Sequence, residues 1–175
     1  MNEIIKAMEE RRSIRKFKPD MPAKEDLEQV VEAGLYAANG MGKQAVVTVA
    51  VTDREVRDRI SAANCKIGGW EEGFDPFYGA PVIFIVLAEK NCATRVYDGS
   101  LVLGNMMLAS HSLGLGSIWI HRAKEEFEME EWQKFLADIG VEGEWEGIGH
   151  LAVGYADGEI PEAARRKDGR VLWIE

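Results

Sequence analysis

The sequence predicts one layered domain in which helices cover a central sheet. Three observations carry that expectation: a length of 175 residues, stretches of helical apolar spacing that alternate with period-2 stretches, and one continuous apolar run, Pro81 to Ala88. The length lies near the ~150 residues of an average domain, so a single domain over 1–175 with at most a small appendage is expected. Hydrophobic residues make up 46% and charged residues 29%, the balance of a folded globular chain, which excludes disorder as a description of the whole.

Residues 2–12 place Ile4, Ile5 and Met8 on one side and Glu3, Lys6, Glu9 and Glu10 on the other, an amphipathic first helix. It runs into the basic stretch Arg11 to Lys18 and then the Pro19-Asp20-Met21-Pro22 loop. Helical spacing resumes over 23–38 through Leu27, Val30, Val31, Leu35 and Ala38, and Asn39-Gly40-Met41-Gly42 signals a turn. Val47, Val49 and Val51 alternate with Thr48, Ala50 and Thr52, the period of a strand. A charged helix over 53–63 and a loop rich in glycine and aromatics lead to the apolar run 81–88, a strand expected to be covered on both faces.

Asp98 is a candidate cap for the next helix, where eight of the thirteen residues 101–113 are apolar. A helix apolar almost all round must be buried, in the middle of the core or at a subunit interface. Gly114 to His121 reads as a helix stop followed by a strand, and 125–137 as one surface helix whose glutamates 125, 126, 128, 130 and 131 form a solvated face. Residues 148–155 form a last strand. Four or five strands interleaved with as many helices favour, taken alone, a parallel sheet.

Charge and motif content narrow the chemistry. Twenty-one basic against thirty acidic residues give a net charge of −9, which repels a polyphosphate and speaks against nucleic-acid binding. Any anion site must then be local. Cys65 and Cys92 lie in neither a CxxC nor a metal-ligand spacing and suit a reducing cytosol. The N-terminus lacks the apolar core of a signal peptide and no run reaches the ~18 apolar residues of a membrane span, so the chain is expected to be cytoplasmic. None of the six serines sits in a GxSxG elbow; Walker A and GxGxxG sequences are absent; His111, His121 and His150 form no close metal-ligating pair. No metal is expected.

Arginine is the informative residue. Nine of the 21 basic side chains fall in two stretches, 11–18 and 165–170, near opposite ends of an acidic chain. Guanidinium groups fork onto phosphate oxygens, and a serine hydroxyl with backbone N–H groups can complete such a site. The same stretches would also serve as solvated surface or as partners for the thirty acids, and spacing alone does not separate these readings. Without interleaved stacking residues, a compact phosphoester suits them better than a polymer.

Arg11-Arg12-Ser13-Ile14-Arg15-Lys16-Phe17 after an amphipathic helix resembles the opening of the FMN-dependent nitroreductase family. Further landmarks follow in the family's order over nearly the whole chain: Ala37 to Gln44, Phe77-Tyr78-Gly79-Ala80-Pro81 before a buried strand, Leu113 to Ile120, and the arginine-rich tail. The resemblance implies an α+β fold with a mostly antiparallel central sheet flanked by helices, in place of the parallel sheet. It also implies an obligate homodimer with FMN at the interface, burying more than ~2,000 Å². The all-apolar helix then packs against its partner, and residues 160–175, ending Val171-Leu172-Trp173-Ile174, reach over the second subunit.

Arg11, Arg12, Ser13 and Arg15 match the family's flavin-binding opening; by the resemblance, Arg11 and Ser13 hold the phosphate and ribityl chain, and Arg15 approaches the edge of the isoalloxazine that gains negative charge on reduction. Asn39 and Gly40 match the loop given by the second subunit. Trp119, Ile120 and His121 match the segment whose backbone faces the ring, and Arg165 and Arg166 the tail arginines on the phosphate. Trp70, Phe74, Phe77 and Tyr78 are expected either to roof the substrate cleft or to be core aromatics. The chain departs from the family pattern at Ala38-Asn39, Gly42, Ala45-Val46 and His121-Arg122, the last adding positive charge beside the ring.

The implied activity is that of a flavoprotein oxidoreductase. It moves a hydride from NAD(P)H through flavin N5 to an electron-poor acceptor, nitroaromatic or quinone-like, in alternating half reactions with no catalytic side chain. The alternative is a catalytically silent flavin- or phosphoester-binding dimer.

Overall fold

The computed structural model describes residues 2–175; Met1 of the expected domain lies outside them. The elements run α1 (Glu3–Glu10), α2 (Lys24–Leu35), a 3-10 turn (Gly40–Gly42), β1 (Val46–Val51), α3 (Arg54–Ile67), β2 (Val82–Glu89), α4 (Arg95–Ser112), β3 (Gly116–Ile120), α5 (Ala123–Phe127), α6 (Glu130–Asp138) and β4 (Trp145–Gly154). Local chemistry sets several boundaries. The Asp53 side chain accepts a hydrogen bond from the N–H of Val56 at 2.9 Å and starts α3, as an N-cap should. Gly114, at a φ of 75°, ends α4 with its N–H on the carbonyl of His111 and the N–H of Leu115 on that of Ser110.

The four strands form one sheet in the order β1-β2-β4-β3, and every neighbouring pair is antiparallel. The antiparallel expectation holds and the parallel one fails. The reason lies between β1 and β2, where Val51 pairs with Ile83. Helix α3 leaves from that end of the sheet and the 68–81 loop returns to it, so the chain re-enters beside the end of β1 instead of its start.

Strand β2 divides the core. Val82 to Ala88 are all fully buried. Ile83, Ile85 and Leu87 pack with Ile60, Phe77, Ile118, Phe127 and Trp132, while Val82, Phe84, Val86 and Ala88 pack with Leu27, Val30, Leu103 and Met106. Each large apolar side chain so buried contributes about 1.5–3 kcal/mol. The continuous apolar run thus becomes the central strand. Val47, Val49 and Val51 all face the first cluster, as their alternation predicts.

Two expectations need correction. Helix α4 begins six residues before the apolar stretch and buries only one stripe, with Val102, Leu103, Met106 and Ser110 inward. Its outer stripe is bare over the first turns, where Val96, Tyr97 and Leu101 are 47%, 72% and 48% exposed, while in the expected apolar stretch Val102, Leu103 and Met106 are in the core and Met107, Ala109 and Leu113 pack against it. Residues 125–137 are two helices, and Glu126 is fully buried rather than solvated. Its carboxylate accepts from Asn64 Nδ2 at 2.7 Å and lies 2.8 Å from His150 Nε2, which ties α5 to α3 and β4. Among the described residues no helix is long and apolar enough to cross a membrane.

Candidate functional site

The basic stretch at 11–18 is woven into the sheet edge. After α1 the chain runs alongside β3: Ser13 bridges Ser117, the N–H of Ile14 donates to the Ser117 carbonyl at 3.1 Å, and Phe17 bridges Ala156. Ile14 and Phe17 turn inward and are buried; Arg15 faces out. The seat needs a glycine, because a Cβ on Gly116 would come within 2.8 Å of the Ile14 side chain. Arg11, Arg12 and Ser13 are left half-buried above β3.

Beside them lies a cavity of about 140 Å³ lined by Arg11, Arg12, Gly114, Ser117, Ala156 and Ile160, among others. Arg11 Nη1, Arg12 Nε and Ser117 Oγ are buried there with no hydrogen-bond partner among the described residues. Arg12 has a second task, since its Nη1 donates to the carbonyls of Glu9 and Arg11 and closes α1. Buried donors without acceptors cost 1–3 kcal/mol each, and more when charged. An anion in the cavity would satisfy them. Its volume is below the ~300–1,000 Å³ of a site for a drug-sized molecule, so it suits the charged end of a larger ligand.

Strand β3 leads from this cavity to a second cluster. Its spacing of ~3.3 Å per residue puts His121 about 13 Å from Ser117. Trp119 is half-buried, its Nε1 without an acceptor; Ile120 is buried and His121 exposed. The Arg122 guanidinium then lies 4.4 Å from the centre of the Trp70 ring. Trp70 and Phe74 stand 5.0 Å apart, each 41% exposed, and Phe74 meets Tyr78 edge-on at 6.3 Å. Three of the four expected aromatics therefore form one wall.

Phe77 does not join it. It is fully buried in the core, 5.4 Å from the His150 ring, and cannot roof a cleft from there. Asp75 explains the difference. Its carboxylate takes the N–H groups of Phe77 and Gly79, the Ser61 hydroxyl at 2.7 Å and the Arg57 guanidinium, which pins the loop with Phe77 turned inward. Burial alone would push the Asp75 carboxyl up, but Arg57, Ser61 and the Phe77 N–H together hold it below the usual carboxylate value.

The remaining expected residues are not gathered at the Arg11 cavity within one protomer. Gly40 donates its N–H to Asp98 at 3.0 Å, and Asn39 bonds within its own loop, to Gln44 N and the Ala37 carbonyl. Asp98 is not the cap of α4, which starts after Thr94; its buried carboxylate clamps the 39–42 loop onto the helix. Arg165 and Arg166 are exposed, and their guanidiniums bond inside the tail, to Asp168 and to the Ala164 carbonyl. Of the tail, Ile160 lines the cavity.

Sequence reasoning did not single out Ser117. A serine at that position of a strand carries no signal until the bridge with Ser13 is known.

The chain belongs to the Nitroreductase family, whose model matches residues 8–67 and 69–155. It is 28% identical to the FMN reductase [NAD(P)H] of Bacillus subtilis (strain 168), over 78% of this chain and 62% of that protein. It is also 28% identical to a putative NADH dehydrogenase/NAD(P)H nitroreductase of Methanothermobacter thermautotrophicus, over 67% of this chain and 60% of that one. The chain thus spans less than two thirds of these relatives' lengths. Among solved structures, the fold matches a nitroreductase with bound FMN from Bacteroides fragilis at a TM-score of 0.89 and 28% identity, and another from Desulfitobacterium hafniense at 0.88 and 26%. Both matches cover 100% of each chain.

Proposed function

We propose that the protein is a homodimeric FMN-dependent oxidoreductase that draws reducing equivalents from NAD(P)H. The observation that carries this reading is the set of buried, unpartnered donors, Arg11 Nη1 and Ser117 Oγ, around a cavity sized for a phosphate. They fit the charged end of FMN, and two of the similar folds are nitroreductases with FMN bound. Bound FMN supplies a two-electron carrier between NAD(P)H and an electron-poor acceptor, nitroaromatic or quinone-like.

The chain's own residues bind and orient. Arg11 and Arg12 Nε hold the phosphate with Ser13 and Ser117 beside it, and Arg15 offers positive charge to the ring edge that becomes negative on reduction. The 119–121 segment faces the ring, and the Trp70, Phe74 and Tyr78 wall excludes water beside it. The cavity is too small for the ring, and the second subunit closes the rest with the Asn39-Gly40 loop. Two surfaces support that dimer: the bare apolar stripe of α4, and a tail whose Val171, Leu172, Trp173 and Ile174 are 68–101% exposed. Residues 160–175 lie over the partner, and Arg165 and Arg166 swing onto the phosphate when the tail is seated. The two cysteines, free and buried, suit a reducing cytoplasm.

The test is reconstitution with FMN followed by anaerobic titration with NADH and NADPH and then a panel of acceptors. Stoichiometric FMN that bleaches with a nicotinamide and is reoxidised by an acceptor supports the reading. Bound FMN that stays oxidised with both nicotinamides leaves a silent flavin-binding dimer instead, and no FMN binding overturns the reading altogether.

A further inference from the structure

Arg122 is the half-buried guanidinium of this molecule that has no assigned work. Arg57, Arg59 and Arg95 each pair with a carboxylate, Asp75, Glu131 and Glu146 respectively. Arg122 pairs with none among the described residues, although the chain carries thirty acids. Its Nε is buried without an acceptor and its planar group rests on Trp70. Burial pulls its pKa below the usual guanidinium value, and only Tyr78 and Glu125 oppose that pull, from beyond ion-pair distance. Stacking leaves the nitrogen edge of a guanidinium free to donate, so a side chain held this way is prepared for an oxyanion in the plane of the fork.

Its surroundings define the shape of the partner. The ring beneath it belongs to the wall of Trp70, Phe74 and Tyr78, of which Trp70 and Phe74, each 41% exposed, offer stacking area to a flat aromatic molecule. The residue follows directly on His121, at the end of β3 away from the Arg11 cavity. In the FMN reading above, on which this inference rests, that end faces the reacting ring.

We propose that Arg122, stacked on Trp70, selects electron acceptors that carry an anionic substituent, in the first place aromatic carboxylates. The wall takes the acceptor's ring and the guanidinium takes its carboxylate. The role is one of specificity; no bond to a reacting atom is assigned to Arg122.

The experiment uses the FMN-loaded protein and compares kcat/KM for para-nitrobenzoate with that for uncharged nitrobenzene. Benzoate affinity is measured in parallel from the perturbation of the flavin spectrum. The wild-type protein is expected to favour the carboxylate. R122Q should lower the para-nitrobenzoate to nitrobenzene ratio about tenfold and weaken benzoate binding by a similar factor, the low end for a hydrogen bond to a charged group. R122K, with the charge but not the planar fork, should fall between them.

A wild-type protein that binds and reduces FMN yet treats the two nitro compounds alike, and ignores benzoate, overturns this proposal alone. That result needs no variant to fold. A drop in the NADPH to NADH ratio of R122Q with the acceptor ratio unmoved also overturns it, because the guanidinium would then serve the nicotinamide's phosphate. Failure of the wild-type protein to bind FMN removes the underlying reading as well.

Discussion

The two arginine stretches look alike in the sequence and are opposite in the fold. Residues 11–17 are tied by backbone bridges to Ser117 of β3 and to Ala156 just past β4, and carry two buried donors with no partner among the described residues. Residues 165–170 hang on a tail with no regular structure, exposed throughout, and satisfy themselves locally through Asp168 and Ala164. The first stretch lines a cavity built into the protomer. The second has its charge and no place to spend it. The last firm tie before the tail is Asp157, whose N–H donates to the Lys16 carbonyl at 3.0 Å and whose carboxylate meets Lys16 Nζ at 2.7 Å. Electrostatics thus gathers what the backbone has already placed, and a free segment needs another surface to become ordered.

That contrast breaks most sharply if the tail is removed. If the proposed dimer forms, deletion of residues 160–175 is expected to convert it to monomers in sedimentation velocity while far-ultraviolet circular dichroism stays native. A deletion variant that still sediments as a dimer would show that the tail is not the arm of the interface.

The next effect belongs to the protomer. Glu126→Ala removes the acceptor of Asn64 Nδ2 and the carboxylate 2.8 Å from His150 Nε2 in a fully buried place, and should cost about 3 kcal/mol in urea unfolding. A loss under ~1 kcal/mol would mean the cluster is dispensable to the packing of α5.

Acid should act on the protomer too. The Asp75 carboxyl is held low in the fold, so its contribution is complete above the ordinary carboxylate pKa and drains away as pH falls through the lower folded value. Stability measured below about pH 4 should therefore fall steeply, and Asp75→Asn should flatten that limb while lowering stability at neutral pH. An unchanged acid limb in the variant would contradict the assignment. The smallest effect is expected at Arg165→Ala, where an exposed pair with Asp168 is lost and the protomer's Tm should not move measurably.

Much of the fold was legible because periodicity and composition report burial directly. The run 81–88 could only be a central strand, and Val47, Val49 and Val51 announced their face. Glu126 was not legible, since a glutamate among glutamates reads as solvated until His150 and Asn64, distant in sequence, are brought under it. Phe77 is fully buried while its neighbour Tyr78 is only partly so and also meets Phe74, a difference that follows from the grip of Asp75 on their loop. At the site, the motif at 11–15 was readable as a resemblance, whereas Ser117 needed the bridge to Ser13.

The account stands on Arg11 as the ligand of a phosphate, and one equilibrium titration tests it: FMN against riboflavin, which lacks the phosphate, for the wild-type protein and Arg11→Ala. The wild type should prefer FMN, and the variant should lose about 1.5–3 kcal/mol of FMN binding while riboflavin affinity barely changes. An FMN to riboflavin preference that survives the substitution intact would contradict it.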